Sequence, residues 1–402
     1  MMTQKDSLPP LLRFGFRPFF LCAGLWAVLS VLIWMLNPFG LSGQQIGGLE
    51  NLPAYLWHGH EMTFGFLFAV IAGFLLTASS HWSGFNPAKG IFLGILVLLW
   101  VLGRLFFYAG SLYPAAFFDV GFDLTLLAAV TRVILKARLW RNLIIVFLLS
   151  LPAFLNLDFY LIQTGVLPFD SAVPCEGALA VFFMFTFLIA GRIIPVFAPN
   201  ALPNLKIKSS PKLDKASLLS GAVSLFLWGI SAYQKSAEMG WLCTFVFLIT
   251  SVIHSKRFSN WNPKESFKNS MIFVLYLSYA WIIISFLLMA LESQHLILRT
   301  MSVHVMGLGA VSMAVAGMMC RVTRGHTGRE IKAEKAEMIF FVMLSLSMIL
   351  RLISTIPQVM ASLTAFLTLL NASATCFIIG FLAFLWRYGP FLCRNRADGK
   401  NG

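Results

Sequence analysis

The chain has 402 residues, of which 58% are hydrophobic and 11% charged, and its mean hydropathy is +0.81. Soluble proteins average about 25% charged residues. This composition therefore excludes a water-soluble enzyme, a disordered tail protein and a nucleic-acid-binding module. Because no soluble core can bury so much Phe, Leu, Ile and Val, we expect an integral membrane protein that crosses the lipid bilayer several times.

A helix needs about 20 apolar residues to cross the hydrocarbon layer. Windows of this length predict an all-α bundle of twelve transmembrane helices that forms one domain, residues 1–402. The predicted spans are 17–37, 57–79, 90–109, 113–135, 143–164, 173–197, 216–234, 238–255, 269–291, 298–320, 335–356 and 359–386. No internal repeat stands out in the sequence, which argues slightly against transporter folds built from inverted halves.

The basic residues predict the orientation of these helices. If the N-terminus lies in the cytoplasm, nearly all of the 30 Lys and Arg residues fall on the cytoplasmic side, as the positive-inside rule requires. Both termini are then cytoplasmic. The net charge of +14 is explained by this topology and by contact with anionic headgroups. It does not indicate a nucleic-acid partner.

Ionisable side chains inside apolar spans are costly, so each is a functional candidate. A rise of about 1.5 Å per residue places these side chains at one depth, the outer half of the membrane. They are His58, His60, Glu61, Arg104, Asp119, Asp123, Asp158, Glu176, His304 and Arg351. Because scattered structural accidents would not share a depth, the set favours a functional site.

Two histidines open the second predicted span. His58 and His60 lie about 200° apart on a helix, so they are suited to two neighbouring sites rather than to one metal. Glu61 shares a face with His58, where it can orient the ring or relay a proton. The alternative is that both histidines lie at the headgroup level and bind neither metal nor haem.

His304 lies at the depth of His60 although the two are far apart in sequence. Two imidazoles at one depth can ligate a haem iron from opposite sides. Met62 and Met301 lie near these histidines, and imidazole with thioether favours copper(I). The alternatives are a core histidine bonded to a backbone carbonyl and methionines that fill packing gaps.

The buried charges also allow two interpretations. Arg104 and Asp119 lie at equal depth on either side of a turn, so they are predicted to pair. The pair can be purely structural. Alternatively, Arg104 or Arg351 anchors the propionates of a haem, and Glu61 and Asp123 form a proton relay.

The remaining polar features lie outside this outer layer. His81 and His254 at span ends and His295 in a loop are predicted to be solvated. The segment 321–329, with three Arg and two Gly, can bind a phosphate or a carboxylate. The alternative is a basic anchor on the cytoplasmic side that precedes a helix.

Several motifs follow one another along nearly the whole chain. They are Trp57-His-Gly-His-Glu-Met62 with Phe64-Gly-Phe66, Ala72-Gly-Phe-Leu-Leu-Thr77, Trp82-Ser-Gly84, Gly191-Arg-Ile-Ile-Pro-Val-Phe197 with Asn200, His304 with Gly307, and Met319-Cys-Arg-Val-Thr-Arg-Gly-His-Thr-Gly-Arg329. Together these motifs resemble the signature of the NnrS family.

The resemblance implies a multi-pass protein of the bacterial inner membrane that contains haem and copper and belongs to the nitric oxide response. The haem is expected to be b-type. The resemblance also implies that His58, His60, His304 and His326 are the candidate ligands, without assigning haem or copper to any of them. Nitric oxide or an iron-nitrosyl species is the expected small-molecule ligand, and the source of any electrons stays open.

Three functions are compatible with the sequence. The first is a haem- and copper-binding protein that binds or processes nitric oxide or its iron complexes, with redox turnover as an oxidoreductase left open. The second is a secondary transporter with buried Arg and Asp sites. The third is a haem–copper reductase, for which the chain has too few membrane histidines. The first requires that the rings of His60 and His304 meet near the outer surface and hold iron or copper.

Overall fold

The computed structural model describes residues 8–36, 52–233 and 236–400. These residues form helices and contain no strand, which confirms the predicted all-α polytopic fold. The twelve long helices are named α1 to α12. They are α1 Phe16–Leu36, α2 Ala54–Ser83, α3 Gly90–Tyr108, α4 Leu112–Lys136, α5 Leu143–Gln163, α6 Ala172–Ala201, α7 Pro211–Ser231, α8 Ala237–Asn260, α9 Ser270–Ser293, α10 Arg299–His326, α11 Lys335–Ser354 and α12 Leu363–Cys393.

Within the described residues, eleven of these helices are long and apolar enough to cross a membrane. The remaining one is α4, predicted as the span 113–135, which has 25 residues and contains Asp119, Asp123 and Arg132. When α4 is counted, the number of spans is even, as the prediction of two cytoplasmic termini requires. Residues 37 and 234, the predicted ends of two spans, lie outside the described residues.

Local sequence explains several helix ends. Ser210, Ser236 and Asn269 precede α7, α8 and α9, and their side chains accept hydrogen bonds from backbone N–H groups of the first turn. Gly84 and Gly328 follow α2 and α10 with φ of +74° and +70°. Glycine adopts this left-handed conformation without the steric cost that a Cβ brings, so it ends a helix there.

Many large apolar side chains point away from the protein. Ile91, Phe117, Phe226 and Trp386 are each 70% exposed or more. In water such exposure would be unfavourable, whereas lipid tails are as apolar as the side chains themselves. These residues are therefore suited to contact with the bilayer, the partner that the composition predicts.

The described residues divide into two compact units. The first unit contains the described residues of Met1–Ala178, Met319–Ile331 and Phe381–Gly402, and the second contains those of Leu179–Met318 and Lys332–Gly380. The boundaries fall inside α6, α10 and α12, so these three helices contribute residues to both units. The single domain over residues 1–402 stays a prediction.

Close packing of α3 and α4 positions the charged residues of the first unit. Gly103 of α3 lies against the backbone of Asp119, because a Cβ at Gly103 would be 3.2 Å from the Cα of Asp119. This small residue lets the two helices approach each other closely. The neighbouring Arg104 is thereby brought next to Asp119.

Candidate functional site

His60 is the last residue of the first α-helical part of α2, Ala54–His60, and is fully buried. Its Nδ1 lies 3.1 Å from Oε1 of Glu61, and its Nε2 lies 3.2 Å from Oδ1 of Asn156. A carboxylate oxygen of Asp119 is 3.5 Å from Nε2. Both ring nitrogens thus face oxygens that accept hydrogen bonds, which suits an imidazole that donates from both nitrogens.

Arg104 of α3 lies among the same carboxylates. Its Nη1 is 3.2 Å from Oε2 of Glu61, and its Nη2 forms an ion pair with Asp119. Nε1 of Trp26 donates to Glu61 at 2.6 Å, and the hydroxyl of Tyr160 donates to Asp119 at 3.1 Å. The predicted pairing of Arg104 with Asp119 is therefore confirmed.

Asp123 lies one turn further along α4 and is also fully buried. Its Oδ2 accepts a hydrogen bond of 2.7 Å from Nδ2 of Asn156. Glu61, Asp119 and Asp123 thus set three carboxylates against one guanidinium and one imidazole. The carboxylates therefore outnumber the basic side chains of the cluster, and uncompensated charge is expensive in a membrane interior.

Aromatic rings enclose the imidazole of His60. The ring centroids of Phe107, Phe159 and Phe64 lie 4.2, 4.5 and 5.1 Å from that of His60, and Tyr160 lies at 5.5 Å. Such packing keeps water away from the polar groups and strengthens the electrostatic interactions among them.

The path of α2 changes directly after His60. Residues Glu61–Leu67 form a π-helix, whose hydrogen bonds join residues five apart. Gly65 in this segment is required for space, because a Cβ would lie 2.7 Å from Oε2 of Glu61 and 2.8 Å from Nη1 of Arg104. The sequence predicted that Glu61 shares a helix face with His58, which assumes a regular α-helix. In the structure the carboxylate of Glu61 contacts His60.

His304 belongs to the second unit and ends the α-helical part Arg299–His304 of α10. Its Nδ1 lies 2.7 Å from the backbone oxygen of Thr300. Because a carbonyl oxygen only accepts, Nδ1 carries the hydrogen and Nε2 carries the lone pair. This is the carbonyl contact of the predicted core histidine, and it is equally the contact that orients a metal-binding imidazole.

Arg351 of α11 contacts Thr300, the residue that His304 also contacts. Its Nη2 donates to Oγ1 of Thr300 at 3.1 Å, and its Nη1 donates to Oγ of Ser354 at 3.0 Å. Among the described residues, Arg351 has no carboxylate within ion-pair distance. The guanidinium therefore lies in a span with hydroxyl groups rather than with a counter-charge.

The other predicted ligands of the outer layer are placed as follows. The ring of His58 lies against that of Trp34 in a tilted arrangement with the centroids 4.9 Å apart, so His58 and His60 face different surroundings, as predicted. Met62 and Met301 are both half-buried. His60 lies in the first unit and His304 in the second. That their rings hold one iron or copper ion between them stays a prediction.

His326, the remaining predicted ligand, pairs with His81, which was predicted only to be solvated. Its Nδ1 lies 3.3 Å from Nε2 of His81, and the two rings stack at 4.5 Å. His81 is exposed, and so is His295, as predicted for both. The pairing joins the ends of two helices that are distant in sequence, so spacing alone offered no signal.

The basic segment 321–329 packs against the end of the chain. Arg324 donates from Nε to the hydroxyl of Tyr388 at 3.0 Å, and Arg396 donates from Nη1 to the backbone oxygen of His326 at 3.0 Å. The guanidinium of Arg329 lies over the ring of Phe391 at 3.9 Å. These contacts within the chain give the segment a structural role.

The prediction that His254 is solvated is wrong. His254 is fully buried, with Nδ1 2.9 Å from the hydroxyl of Tyr279 and Nε2 3.2 Å from the backbone oxygen of Ser217. The predicted span ended at residue 255, whereas α8 continues to Asn260. His254 therefore lies well inside the helix, where α7 and α9 cover it.

Sequence reasoning missed Asn156 and Tyr160, which complete the cluster of the first unit. Both belong to α5 and are fully or almost fully buried. A signal was present, since the two residues are four apart and so share a helix face within an apolar span. Trp26 lies in the middle of α1 and was missed because its side chain is not ionisable.

The described residues contain no group of three or more His, Cys, Asp or Glu that could hold a metal ion. A copper centre with three such ligands does not fit this part of the chain. A single histidine nitrogen with a lone pair can hold a haem iron. Nε2 of His304 fits that requirement, since Nδ1 carries the hydrogen. His60 would have to give up its contact with Glu61 or Asn156 before it could bind a metal.

These features define a polytopic helical membrane protein whose candidate functional groups are buried within its spans. The chain belongs to the NnrS family, since the family described as NnrS protein matches residues 10–396. This membership supports a role in the nitric oxide response. No curated protein matches the chain.

Proposed function

We propose that this protein binds haem through Nε2 of His304 and that it binds or processes nitric oxide or its iron complexes there. The observation that carries the proposal is the 2.7 Å hydrogen bond from Nδ1 of His304 to the backbone oxygen of Thr300. Histidines that bind metals usually donate their second nitrogen to such an oxygen, which fixes the tautomer. Bound haem supplies an iron atom that can take nitric oxide as a ligand.

Arg351 is placed to hold the acidic edge of such a haem. Thr300 accepts from the guanidinium at its hydroxyl and from His304 at its carbonyl, so one residue links the two side chains. A guanidinium recognises carboxylates with two parallel hydrogen bonds. Arg351 therefore suits a haem propionate better than Arg104, whose charge Glu61 and Asp119 already neutralise.

The cluster around His60 supports the same function as a store of protons. Glu61 and Asp123 are the members that the sequence proposed as a relay. Asn156 links Asp123 to His60, and His60 contacts Glu61 in turn. Hydrogen bonds thus run from one acid to the other without a gap. The proposal also includes bound copper and a location in the bacterial inner membrane, because the family resemblance implies both.

The visible spectrum of the purified full-length chain, reconstituted with haem in detergent, tests the ligand. We expect His304→Ala to lose the Soret band of the bound haem while His295→Asn keeps it. The control removes an exposed histidine with φ of +57°, and asparagine tolerates that conformation. A Soret band of unchanged position and intensity in folded His304→Ala contradicts the proposal. Loss of the band in His60→Ala as well indicates that both rings bind the iron.

A second candidate function is proton-coupled transport. It is favoured by the burial of Asp119 and Asp123 in a helix that is predicted to span the membrane, as transporters place their coupling groups. Proteoliposomes containing the metal-free protein distinguish the two functions. Proton-dependent solute uptake that is lost in folded Asp123→Asn supports transport, whereas its absence from wild-type vesicles argues against it.

A further inference from the structure

The structure contains a repeat that the sequence did not reveal. The described residues contain two π-helices, Glu61–Leu67 and Val305–Val311, both seven residues long. Each begins directly after a histidine that ends an α-helical segment, His60 in α2 and His304 in α10. Short π-helical turns inside α-helices are frequent at functional sites. Two of equal length behind two histidines indicate a duplicated element.

The sequence of the two elements agrees with this interpretation. Identical residues occupy positions that are 244 residues apart, the difference between 60 and 304. The identical pairs are His60 and His304, Met62 and Met306, Gly65 and Gly309, Ala72 and Ala316, Gly73 and Gly317, and Gly84 and Gly328. Most other positions differ between the copies, some of them in charge, as Glu61 and Val305 do, which is why the repeat escaped notice.

The preceding helix packs on each element in the same way. A Cβ at Gly65 would lie 2.7 Å from Nε1 of Trp26 in α1, and a Cβ at Gly309 would lie 3.2 Å from the ring of Trp281 in α9. In both copies a tryptophan of the preceding helix thus covers the glycine five residues after the histidine. Both glycines provide the space for this contact.

The following helix supplies an arginine to each element. Arg104 lies near the end of α3 and bonds to Glu61 in the first unit. Arg351 lies near the end of α11 and bonds to Thr300, the residue that anchors His304, in the second unit. Each unit therefore contains one site made of a histidine, a tryptophan and an arginine from three consecutive helices.

The two sites differ in their negative charge. The first π-helix begins with Glu61, which neutralises Arg104 together with Asp119. The corresponding residue of the second π-helix is Val305, which is fully buried and carries no charge. Arg351 has hydroxyl partners and no carboxylate among the described residues. A guanidinium within a span requires a counter-charge.

We infer that the chain carries two copies of one site and that the second copy takes a carboxylate, or an oxyanion of similar size and shape, from outside the chain. This anion provides at Arg351 the charge that Glu61 provides at Arg104. Two sources have this chemistry, a propionate of bound haem and a free oxyanion. Only the first source rests on the proposed haem function.

Formate tests the anion site without haem. The midpoint of thermal unfolding of the full chain in detergent is measured in sodium formate and in sodium chloride of equal ionic strength, because a ligand of the native state raises the midpoint. We expect formate to stabilise the wild type more than chloride does. We expect this difference to disappear in Arg351→Gln and to be at least halved in Arg351→Lys, whose ammonium lacks the planar fork.

Val305→Glu is the decisive variant, since it restores the internal carboxylate of the first copy. We expect it to abolish the formate effect, while Val305→Gln, of equal size and no charge, keeps it. An equal formate effect in wild type and Arg351→Gln overturns the inference, and so does its equal loss in Val305→Glu and Val305→Gln. Arg351 is only partly buried, so its variants decide the question if those of Val305 do not fold.

Haem and its dimethyl ester distinguish the two sources. If a propionate is the anion, wild type binds haem about tenfold more tightly than the ester, as expected for one charge-assisted hydrogen bond, and Arg351→Gln binds both equally. Formate stabilisation without this preference identifies a free oxyanion.

If haem does not bind at all, the proposed function fails and the formate measurement still decides the inference. If the wild type shows neither the formate effect nor a preference for haem over its ester, the inference is overturned.

Discussion

The first and second units each contain a site with a histidine, a tryptophan and an arginine, but only the arginine of the first site has carboxylate partners among the described residues. In the first unit, Glu61 and Asp119 neutralise Arg104, and aromatic rings close around His60. In the second unit, His304 donates to the carbonyl oxygen of Thr300, and Arg351 donates to its hydroxyl. A duplicated framework can thus serve one function that needs a closed network and another that needs an exchangeable ligand.

The comparison also separates what stabilises each site. The first site is an internally compensated ion cluster, and removal of one member of such a cluster leaves a buried charge behind. The second site keeps a charge whose partner is, by our inference, a ligand. Substitutions at matching positions should therefore have unequal effects in the protein without ligand.

The largest expected difference concerns the two arginines. Arg104→Leu removes the guanidinium that pairs with both Glu61 and Asp119, and we expect a loss of about 3–5 kcal/mol in the free energy of unfolding. Arg351→Leu removes a guanidinium that lacks a carboxylate, and we expect a change of about 1 kcal/mol or less. Thermal and denaturant unfolding in detergent, without haem, measures both.

The haem content of the folded fraction separates stability from binding in these variants. Arg104→Leu with normal haem per folded molecule identifies Arg104 as a structural residue. Arg351→Leu with normal stability and reduced haem identifies a binding residue. Equal losses of stability in the two variants would contradict the comparison of a compensated with an uncompensated site.

A smaller effect is expected from a single hydroxyl of the first cluster. The hydroxyl of Tyr160 donates to the carboxylate of Asp119, whereas that of Tyr276 in the second unit donates to a backbone oxygen, that of Trp261, at 2.8 Å. Hydrogen bonds to charged groups contribute about 1.5–3 kcal/mol and neutral ones about 0.5–1.5 kcal/mol. We therefore expect Tyr160→Phe to destabilise the protein more than Tyr276→Phe does. The reverse order of their unfolding free energies would contradict this prediction.

The two glycines of the π-helices provide the next comparison. Alanine at Gly65 would place its Cβ 2.7–2.8 Å from three polar atoms of the first cluster, whereas alanine at Gly309 would lie 3.2–3.3 Å from Trp281 and Met348. We expect Gly65→Ala to cost about 1–3 kcal/mol, the range of overpacked cores, and Gly309→Ala less. Unfolding midpoints of the two variants, with Gly94→Ala as a control in open space, give the order.

The sequence predicted the fold because the relevant signals are local. Apolar length and the position of basic residues determine which segments can be membrane helices. The same reasoning placed Arg104 beside Asp119, since a tight turn joins their helices. The prediction of the contacts of Glu61 failed, because nothing in residues 61–67 shows that the helix there is a π-helix, whose hydrogen bonds span five residues instead of four.

Partners from distant helices could not be predicted. Asn156 bonds to both His60 and Asp123, and His81 stacks on His326. Each contact depends on how helices far apart in sequence pack, which no periodicity specifies. The repeat of α2 in α10 was hidden for a different reason, since its identical residues are few and the structure reveals it through backbone hydrogen bonding.

The smallest expected effect concerns the residue two positions before each repeated histidine. In the first copy this residue is His58, whose ring contacts that of Trp34. In the second it is Ser302, a buried residue whose Oγ has no hydrogen-bond partner among the described residues. A buried hydroxyl without a partner is unfavourable, so we expect Ser302→Ala to leave the stability unchanged or to raise it by up to about 1 kcal/mol. Unfolding in detergent measures this change. A decrease of more than about 1 kcal/mol in the free energy of unfolding would contradict the prediction and would point to a hydrogen bond from this hydroxyl to a bound ligand.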